Sequence, residues 1–529
     1  MAGLDLEEWI TNATECFEIN LVRPKKEGEP VPVFAESFPP AFTYLIFNEK
    51  EDLVGYKNPS INLTFRANDL KPSITVAFDE KLDLSNIMQE GEEQIDLVKI
   101  WEQHLPAYVF NPSEAPEAPS ENDPTSMTWK PPGSLLHSFA LHGKQYEVWS
   151  TNMSDPAARQ IWDNMRILTH LYIEGATYPE LDDQWSTERW TLYLMYEVTP
   201  IDMEEGTSSY TLAGFSTSYR YWIFPTLEVM RATNSLPSPP SSANGDASTY
   251  PKPRLTIDPK TQLVADRINA LETPSRERIS QFLILPPYQG QSLGAQLYET
   301  IFADLVKKPF IYEIPVEDPS EEFDAMRDYS DIVYLRKIPE FNSLTLPSTM
   351  PPESMHKSAP IPRDQILGND VNLDDLRHKC KIVPRQFNRM LELHLFSTIK
   401  PFNRNKNRIT RKDKSSNEND RKYYFWRLAL KDRIYRQSAD VLEQIEDPSE
   451  RVEKLELAVD SQQQEYEERE EGIRRRMKWS KGEIKNSEGS QSRGKRKRVV
   501  VEEDDDDGDE WEDLEEEATS SKKQMNRFR

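Results

Sequence analysis

Ile279-Ser-Gln-Phe-Leu-Ile-Leu-Pro-Pro-Tyr-Gln-Gly-Gln-Ser-Leu-Gly-Ala-Gln-Leu297 carries the fold class. Ile279 to Leu285 reads as a strand, Pro286-Pro287 stops it, and Gln289 to Gly294 turns the chain. Tyr298, Ile301, Phe302 and Leu305 then fall on one face of a helix. Downstream, Phe310 to Val316 is a second strand candidate and Glu321 to Leu335 a second helix. Strand, helix, strand, helix implies a right-handed crossover between parallel neighbours. The fold class is therefore α/β (α+β), with a twisted mixed sheet.

Working upstream, Arg189 to Val198 and Tyr210 to Phe224 read as long strands, and Leu135 to Leu141 with Gln145 to Ser150 as a strand pair. Ile161, Met165, Leu168 and Tyr172 recur at helical spacing. Residues 1 to 130 form a mixed α/β domain that opens with an amphipathic helix (Leu6, Trp9, Ile10) and has strand-like runs at Tyr44 to Phe47 and Ile74 to Phe78. Asn111 to Pro132 is a connector. A central α/β domain spans 131–345, interrupted by a Ser- and Pro-rich surface insertion near 232–276 that is expected to be disordered. A helical region, 346–479, follows a Pro-rich break, with Pro384 to Thr398 one helix and Arg421 to Arg469 a long charged one.

With 529 residues the chain has room for about three domains. Only 37% is hydrophobic, 39 Pro accompany 18 Gly, and mean hydropathy is -0.74, which points to long connectors. Neither an apolar run of membrane-spanning length nor a signal-type N-terminus is present, so an intracellular protein without a membrane role is expected. Cys16 and Cys380 cannot build a disulfide framework or an all-cysteine zinc site, and no metal is expected. The net charge of -26 is half local: Glu502 to Glu517 holds 13 carboxylates in 16 positions, so the rest of the chain carries -13. That balance repels nucleic acid and favours basic partners. The tail, 480–529, should be disordered. It also carries Arg493-Gly-Lys-Arg-Lys-Arg498, a compact basic run of nuclear-import type.

The strand, glycine-bearing loop and helix start suit an anion, because unpaired amides and a positive dipole end converge there. No Gly-Lys-Ser/Thr and no three-glycine fingerprint follow, so nucleotide P-loop and dinucleotide sites are excluded, while another pyrophosphate site stays open. Gly290-Gln-Ser-Leu-Gly294 also spells a nucleophile elbow, which would make Ser292 a hydrolase nucleophile. Against that, His356, His378 and His394 fall in or after the Pro-rich break and no Gly-rich oxyanion segment lies upstream.

Residues 279–297 and Glu313-Ile-Pro-Val-Glu-Asp-Pro-Ser320 resemble the acetyl-CoA segment and catalytic strand end of the catalytic subunit of the type B histone acetyltransferase, within the GNAT superfamily of N-acetyltransferases. Phe47 to Lys57, Gly133 to Ser138, Tyr172 to Ala176, Glu188 to Trp190, Tyr219 to Tyr221 and Lys381 to Ile434 extend the resemblance over roughly residues 1 to 440. It implies a GNAT fold and acetyl transfer from acetyl-CoA to lysines of the N-terminal tail of newly made histone four. Phe282, Leu283 and Ile284 would bind pantetheine through main-chain groups. Gln289, Gly290, Gln291, Ser292, Leu293, Gly294 and Ala295 would wrap the pyrophosphate, with Ser320 beside the cofactor. Glu317 would be the general base, assisted by Asp318 and Glu174. The tail would meet Glu49, Glu51, Trp190, Tyr219, Arg220 and Tyr221. Implied partners are histone four, histone dimers and a WD-repeat histone chaperone, in cytoplasm and nucleus. The family has Gly where Ser292 stands; if that position needs positive φ, Ser costs about 1 kcal/mol.

The chemistry requires a base, since a lysine of ordinary pKa is protonated at neutral pH and cannot attack a thioester. These residues have plainer uses too. Glu317-Asp318 before Pro319 suits a solvated helix start, Glu49 and Glu51 suit surface charge, and Trp190 with the tyrosines suits core. A general protein or small-molecule N-acetyltransferase and a non-catalytic histone carrier are the competing readings.

Overall fold

The computed structural model describes residues 6–23, 29–84, 94–114, 122–200, 208–222, 259–261, 274–356, 359–368, 371–409 and 414–480. Most of the expected insertion and all of the tail after 480 lie outside these. Cα packing divides the chain into two units, Met1–Leu335 with Asp374–Phe387, and Arg336–Leu373 with Asn388–Arg529. No helix among the described residues is long and apolar enough to cross a membrane.

The first unit opens with a single 3-10 turn, Leu6–Trp9, followed at once by strand β1, Ile10–Asn12. The expected amphipathic helix is therefore corrected, because Ile10 pairs with Val54 of β4, Asp52–Val54, a partner far along the chain. β2, Phe17–Arg23, and β3, Val31–Pro32, join β6, Ser60–Arg66, and β7, Pro72–Ala77, in a four-stranded sheet of order β3-β2-β6-β7. β6 alternates half-buried and buried residues, with Ile61, Leu63 and Phe65 inward, as a one-sided sheet demands. β5, Tyr56–Lys57, pairs with β8, Glu80–Lys81. Tyr44 to Phe47 is a turn and not a strand, held by Glu51, whose Oε1 accepts the Thr43 and Tyr44 amides.

The second sheet has six strands. β9, Ser134–Leu141, and β10, Lys144–Asn152, form the expected hairpin. Helices α1, Pro156–Met165, and α2, Ile167–Tyr172, meet at Arg166 and bury Ile161, Met165 and Leu168. After α3, Gln184–Arg189, come β11, Trp190–Val198, β12, Tyr210–Trp222, and β13, Ser275–Ile284. β13 thus starts four residues before the expected Ile279 and takes in Ser275 and Arg276, the last two residues assigned to the insertion. Helix α4, Leu293–Leu305, strand β14, Ile311–Glu313, and helix α5, Glu321–Leu335, complete the expected unit. The sheet order is β14-β13-β12-β11-β10-β9, antiparallel except for the parallel β13–β14 pair. Main-chain and side-chain bonds weld the two sheets: Leu212 N–H reaches the Ala67 carbonyl at 2.8 Å, and the Tyr196 hydroxyl reaches that of Asn68 at 2.9 Å.

Helices dominate the rest: α6, Pro339–Asn342, α7, Arg363–Gly368, α8, Leu373–Cys380, and α9, Pro384–Thr398. The expected long charged helix is three, α10, Glu418–Gln437, α11, Ala439–Gln444, and α12, Pro448–Ser480. Pro448 explains the last break, because the residue before a proline is pushed out of helical geometry. In the second unit the Phe396 ring lies tilted against Trp426, 4.6 Å between centres, and buried Glu392 accepts from Arg433 at 2.9 Å and from the Tyr466 hydroxyl at 2.8 Å.

Candidate active site

The site begins where two parallel strands part. β13 pairs with β14 at Ser275 and Arg276, and the pairing persists only as far as the Ile279 amide bonding the Pro315 carbonyl and the Glu317 amide bonding the Ile279 carbonyl, at 3.0 and 2.9 Å. Past Glu317 the chain turns off toward α5. Asp318 takes the turn at a φ of 32°, with Pro319 next. Among the described residues, the second half of β13 therefore has β12 on one side and no strand of the sheet on the other. A register shift opposite Ser216 and Ser218 resets the strand. Beyond it the Gln281 and Leu285 amides face β12, and the Leu283 carbonyl lies 2.6 Å from where a Cβ of Gly214 would sit. By alternation the Phe282 and Ile284 main-chain groups face the open edge, while Leu283 faces its neighbour. Of the three residues expected to bond a pantetheine arm through main-chain groups, Phe282 and Ile284 thus border the open edge, and Leu283 is buried. The Ile284 carbonyl already accepts Gln289 Nε2 at 2.8 Å.

Beyond Leu285 a 3-10 turn, Pro286–Tyr288, leads into Gly290 at a φ of 73° and Ser292 at a φ of 64°. The left-handed region is open to Gly at no cost and to Ser only with strain. Ser292 is the N-cap of α4, but its side chain makes no capping bond. The first amides of α4, at Leu293, Gly294 and Ala295, thus present the helix dipole without a capping bond from Ser292. Gln291 Nε2 braces the loop from the Pro287 carbonyl at 3.0 Å. Gly294 lets α4 lie against α5, since a Cβ there would stand 3.0 Å from Met326 Sδ. The start of α5 suits an anion less well: Glu321, Glu322 and Asp324 fill its first turn, and the Ser320 hydroxyl caps it by accepting the Phe323 amide at 3.3 Å. A phosphate group therefore favours α4.

Ser292 should be better as glycine. Ser292→Gly relieves the left-handed strain but adds freedom to the unfolded chain, and the balance is a gain of about 0.5–1 kcal/mol. Urea unfolding would show the midpoint rising; an equal or lower midpoint would mean that the Ser292 side chain compensates its own backbone.

On the half-exposed face of β13, Arg276, Arg278, Ser280 and Phe282 alternate with buried Glu277, Ile279 and Gln281. Tyr219 and Tyr221 stand beside Arg278 and Arg276 in register, and Trp190 lies 4.6 Å ring to ring from Tyr219. Glu317 closes this wall. Its Oε1 accepts the Tyr219 hydroxyl at 3.1 Å and Arg278 Nη1 at 3.0 Å, and its Oε2 accepts the Ser280 hydroxyl at 2.5 Å. Burial pushes the carboxyl up, but the bonds from Ser280, Arg278 and Tyr219, with the Arg278 charge, outweigh it and hold it below the usual carboxylate range. Glu317 is ionised at neutral pH.

The other expected residues divide. Asp318 is exposed beside Glu317, and Glu174 is exposed on the loop after α2. That loop is docked to β13 by Gln281 Nε2 bonding the Thr177 carbonyl at 3.1 Å, and to the 44–47 turn by the Gly175 amide bonding the Tyr44 hydroxyl at 2.8 Å. Trp190 is 7% exposed, so it supports the wall from behind. Arg220 is corrected: strand alternation turns it to the opposite face, where Nε bonds buried Glu277 at 3.3 Å and the guanidinium covers Phe310. Glu51 uses Oε1 to accept the Thr43 and Tyr44 amides, while Glu49 is exposed. Arg278 and Ser280 were absent from the expected set. Their signal was present in the period-two alternation that puts them beside Phe282.

An ionised carboxylate at the mouth of an open strand edge, next to an aromatic wall, can take a proton from a cationic amine while the edge and the α4 loop hold an anionic, peptide-like cofactor. Residues 9–174 match the family described as Histone acetyl transferase HAT1 N-terminus. The chain is 34% identical over 461 residues to the histone acetyltransferase type B catalytic subunit of Gibberella zeae, covering 85% of this chain and 88% of that one. It is also 34% identical over 472 residues to the Aspergillus oryzae protein of the same name, covering 87% and 85%. Against the Pyricularia oryzae protein the figure is 31% over 511 residues, covering 93% and 98%. With that identity sustained across nearly the whole of these enzymes, the chain belongs to the family of histone acetyltransferase type B catalytic subunits.

Proposed function

We propose that this chain transfers acetyl from acetyl-CoA to lysine side chains in the N-terminal tail of newly made histone four, by direct attack with Glu317 as general base. The observation that carries the reading is the Glu317 carboxylate, ionised and fixed by three donors where β13 and β14 separate. The β13–α4 segment is read as a GNAT fold. Phe282 and Ile284 would hold the pantetheine arm at the strand edge, and the loop from Gln289 to Ala295 the pyrophosphate, with Ser320 near the cofactor. Acetyl-CoA, when bound, supplies a thioester carbonyl: the amine nitrogen bonds to that carbon, the C–S bond breaks, and the thiol leaves with a proton. Glu317 takes the proton that the lysine ammonium must lose, directly or through water, and Asp318 and Glu174 add negative charge that draws a cationic tail. Tyr219 and Tyr221, backed by Trp190, give the tail an aromatic surface suited to Lys and Arg.

The domain reading is N-terminal mixed domain 1–130, acetyltransferase domain 131–345, helical region 346–479 and tail 480–529. A WD-repeat chaperone and histone dimers are the proposed partners. Cytoplasm and nucleus are the proposed compartments, supported by the basic run at Lys495 to Arg498. Radiolabelled acetyl-CoA offered with histone tail peptides, with polyamines, or with no acceptor separates the readings. Label on the histone four peptide is expected. Label on polyamines alone would favour a small-molecule enzyme, and peptide binding without label would favour a histone carrier.

A further inference from the structure

The wall beside Glu317 contains a cation that general-base chemistry alone does not call for. Arg278 Nη1 donates to Glu317 Oε1 and to the Tyr219 hydroxyl, each at 3.0 Å. Its guanidinium stands 5.7 and 5.1 Å from the ring centres of Tyr219 and Tyr221. The side chain is 35% exposed, so it borders the space that a substrate would enter. Arg276, one step back on the same face, is engaged elsewhere: its Nε bonds Glu313 at 2.9 Å, and Glu313 also holds Arg377 at 2.7 Å. Among the described residues Arg278 is the cation in contact with Glu317.

A carboxylate offers about four acceptor positions. Tyr219 and Arg278 fill Oε1, and Ser280 takes one position on Oε2, which leaves one position on Oε2 for a proton. A fixed positive charge within a few ångströms also disfavours a second one, so an ammonium group brought to Glu317 loses its proton at lower pH than it would beside Glu317 without Arg278. The same logic activates lysine nucleophiles placed near other cations.

We propose that Arg278 is a positioning residue for acetyl transfer, which rests on the function proposed above: it fixes Glu317 with one acceptor position open and, by its charge, helps the incoming lysine amine to shed its proton. The charged and titratable groups around the amine are then Arg278 and Arg276 from β13, Tyr219 and Tyr221 from β12, Glu317 and Asp318 after β14, and Glu174 from the loop after α2. The carboxylates attract the tail as a whole, and Arg278 sets the protonation state of the one amine that reaches Glu317.

The test is the pH profile of kcat for histone four tail peptide acetylation by the full chain, under conditions where chemistry limits the rate, for the parent, Arg278→Gln and Arg278→Lys. With Arg278→Gln the acid limb should move up by about one pH unit, so that kcat at a pH below the limb falls about tenfold, while Arg278→Lys keeps the limb near its parental position. Acetyl-CoA binding, measured directly by calorimetry, should be unchanged in both and reports that the site is folded. Superimposable acid limbs in all three proteins would overturn the inference and leave the proposed function standing. A parent that acetylates no peptide would overturn the proposed function itself, and the inference with it. If Arg278→Gln is unfolded, Arg278→Lys and Arg278→Met decide by the same comparison of a retained with a removed charge.

Discussion

Glu317→Gln is expected to lower kcat by about 10²- to 10⁴-fold, the usual contribution of a positioned general base, with acetyl-CoA affinity unchanged. Gln keeps the side-chain shape and can still accept from Ser280 or Tyr219, but it cannot take up a proton or balance Arg278. Cofactor affinity should survive because the groups expected to provide it, the main-chain groups of β13 at Phe282 and Ile284 and the start of α4, are not the ones that bond the Glu317 carboxylate. Single-turnover acetylation with cofactor binding measured in parallel separates the two effects. A parental rate in that regime would remove Glu317 from the chemistry, whereas loss of both activities would mean that its main work is structural.

The second large effect is on stability. Glu313 is 4% exposed, and its carboxylate holds both Arg276 and the Arg377 side chain, itself 6% exposed. Glu313→Gln should cost about 3–5 kcal/mol of unfolding free energy, because removing one partner leaves a buried guanidinium uncompensated. Near Arg377 also lie His378 Nε2, the Ile382 carbonyl at 3.5 Å and exposed Asp374 at 3.9 Å, none of which is a buried carboxylate that could replace Glu313. β14 carries Glu313, and the chain runs from it to Glu317 in four residues, so the site should loosen with the strand. Urea unfolding of the parent and variant measures this. A difference below 1 kcal/mol would show that Arg377 finds another partner or water.

What could be read in advance follows from how local each feature is. The β13–loop–α4 segment was legible because Pro286-Pro287, Gly290 and the Tyr298, Ile301, Phe302, Leu305 face act within one stretch of chain. Ser292 at positive φ was legible as a conditional cost, and its φ of 64° meets the condition. Ile10 was misread because its strand depends on Val54, and Tyr44 to Phe47 because its turn depends on Glu51, neither of which local periodicity reports. Resemblance supplied Glu317. It could not supply the direction of Arg220, which period-two alternation turns away from Tyr219 and Tyr221. The same alternation pointed to Arg278 and Ser280, but only with the strand start placed at Ser275 does their shared face emerge.

Transfer of an acetyl group from a thioester to a lysine side chain is read out by tandem mass spectrometry of a histone four tail peptide after incubation with the full chain and acetyl-CoA. Acetyl groups on lysine side-chain nitrogens and released thiol in equal amount are expected, with neither product from Glu317→Gln within the same time. Thiol release without peptide acetylation, or an acetyl group found on serine or on the enzyme alone, would contradict it.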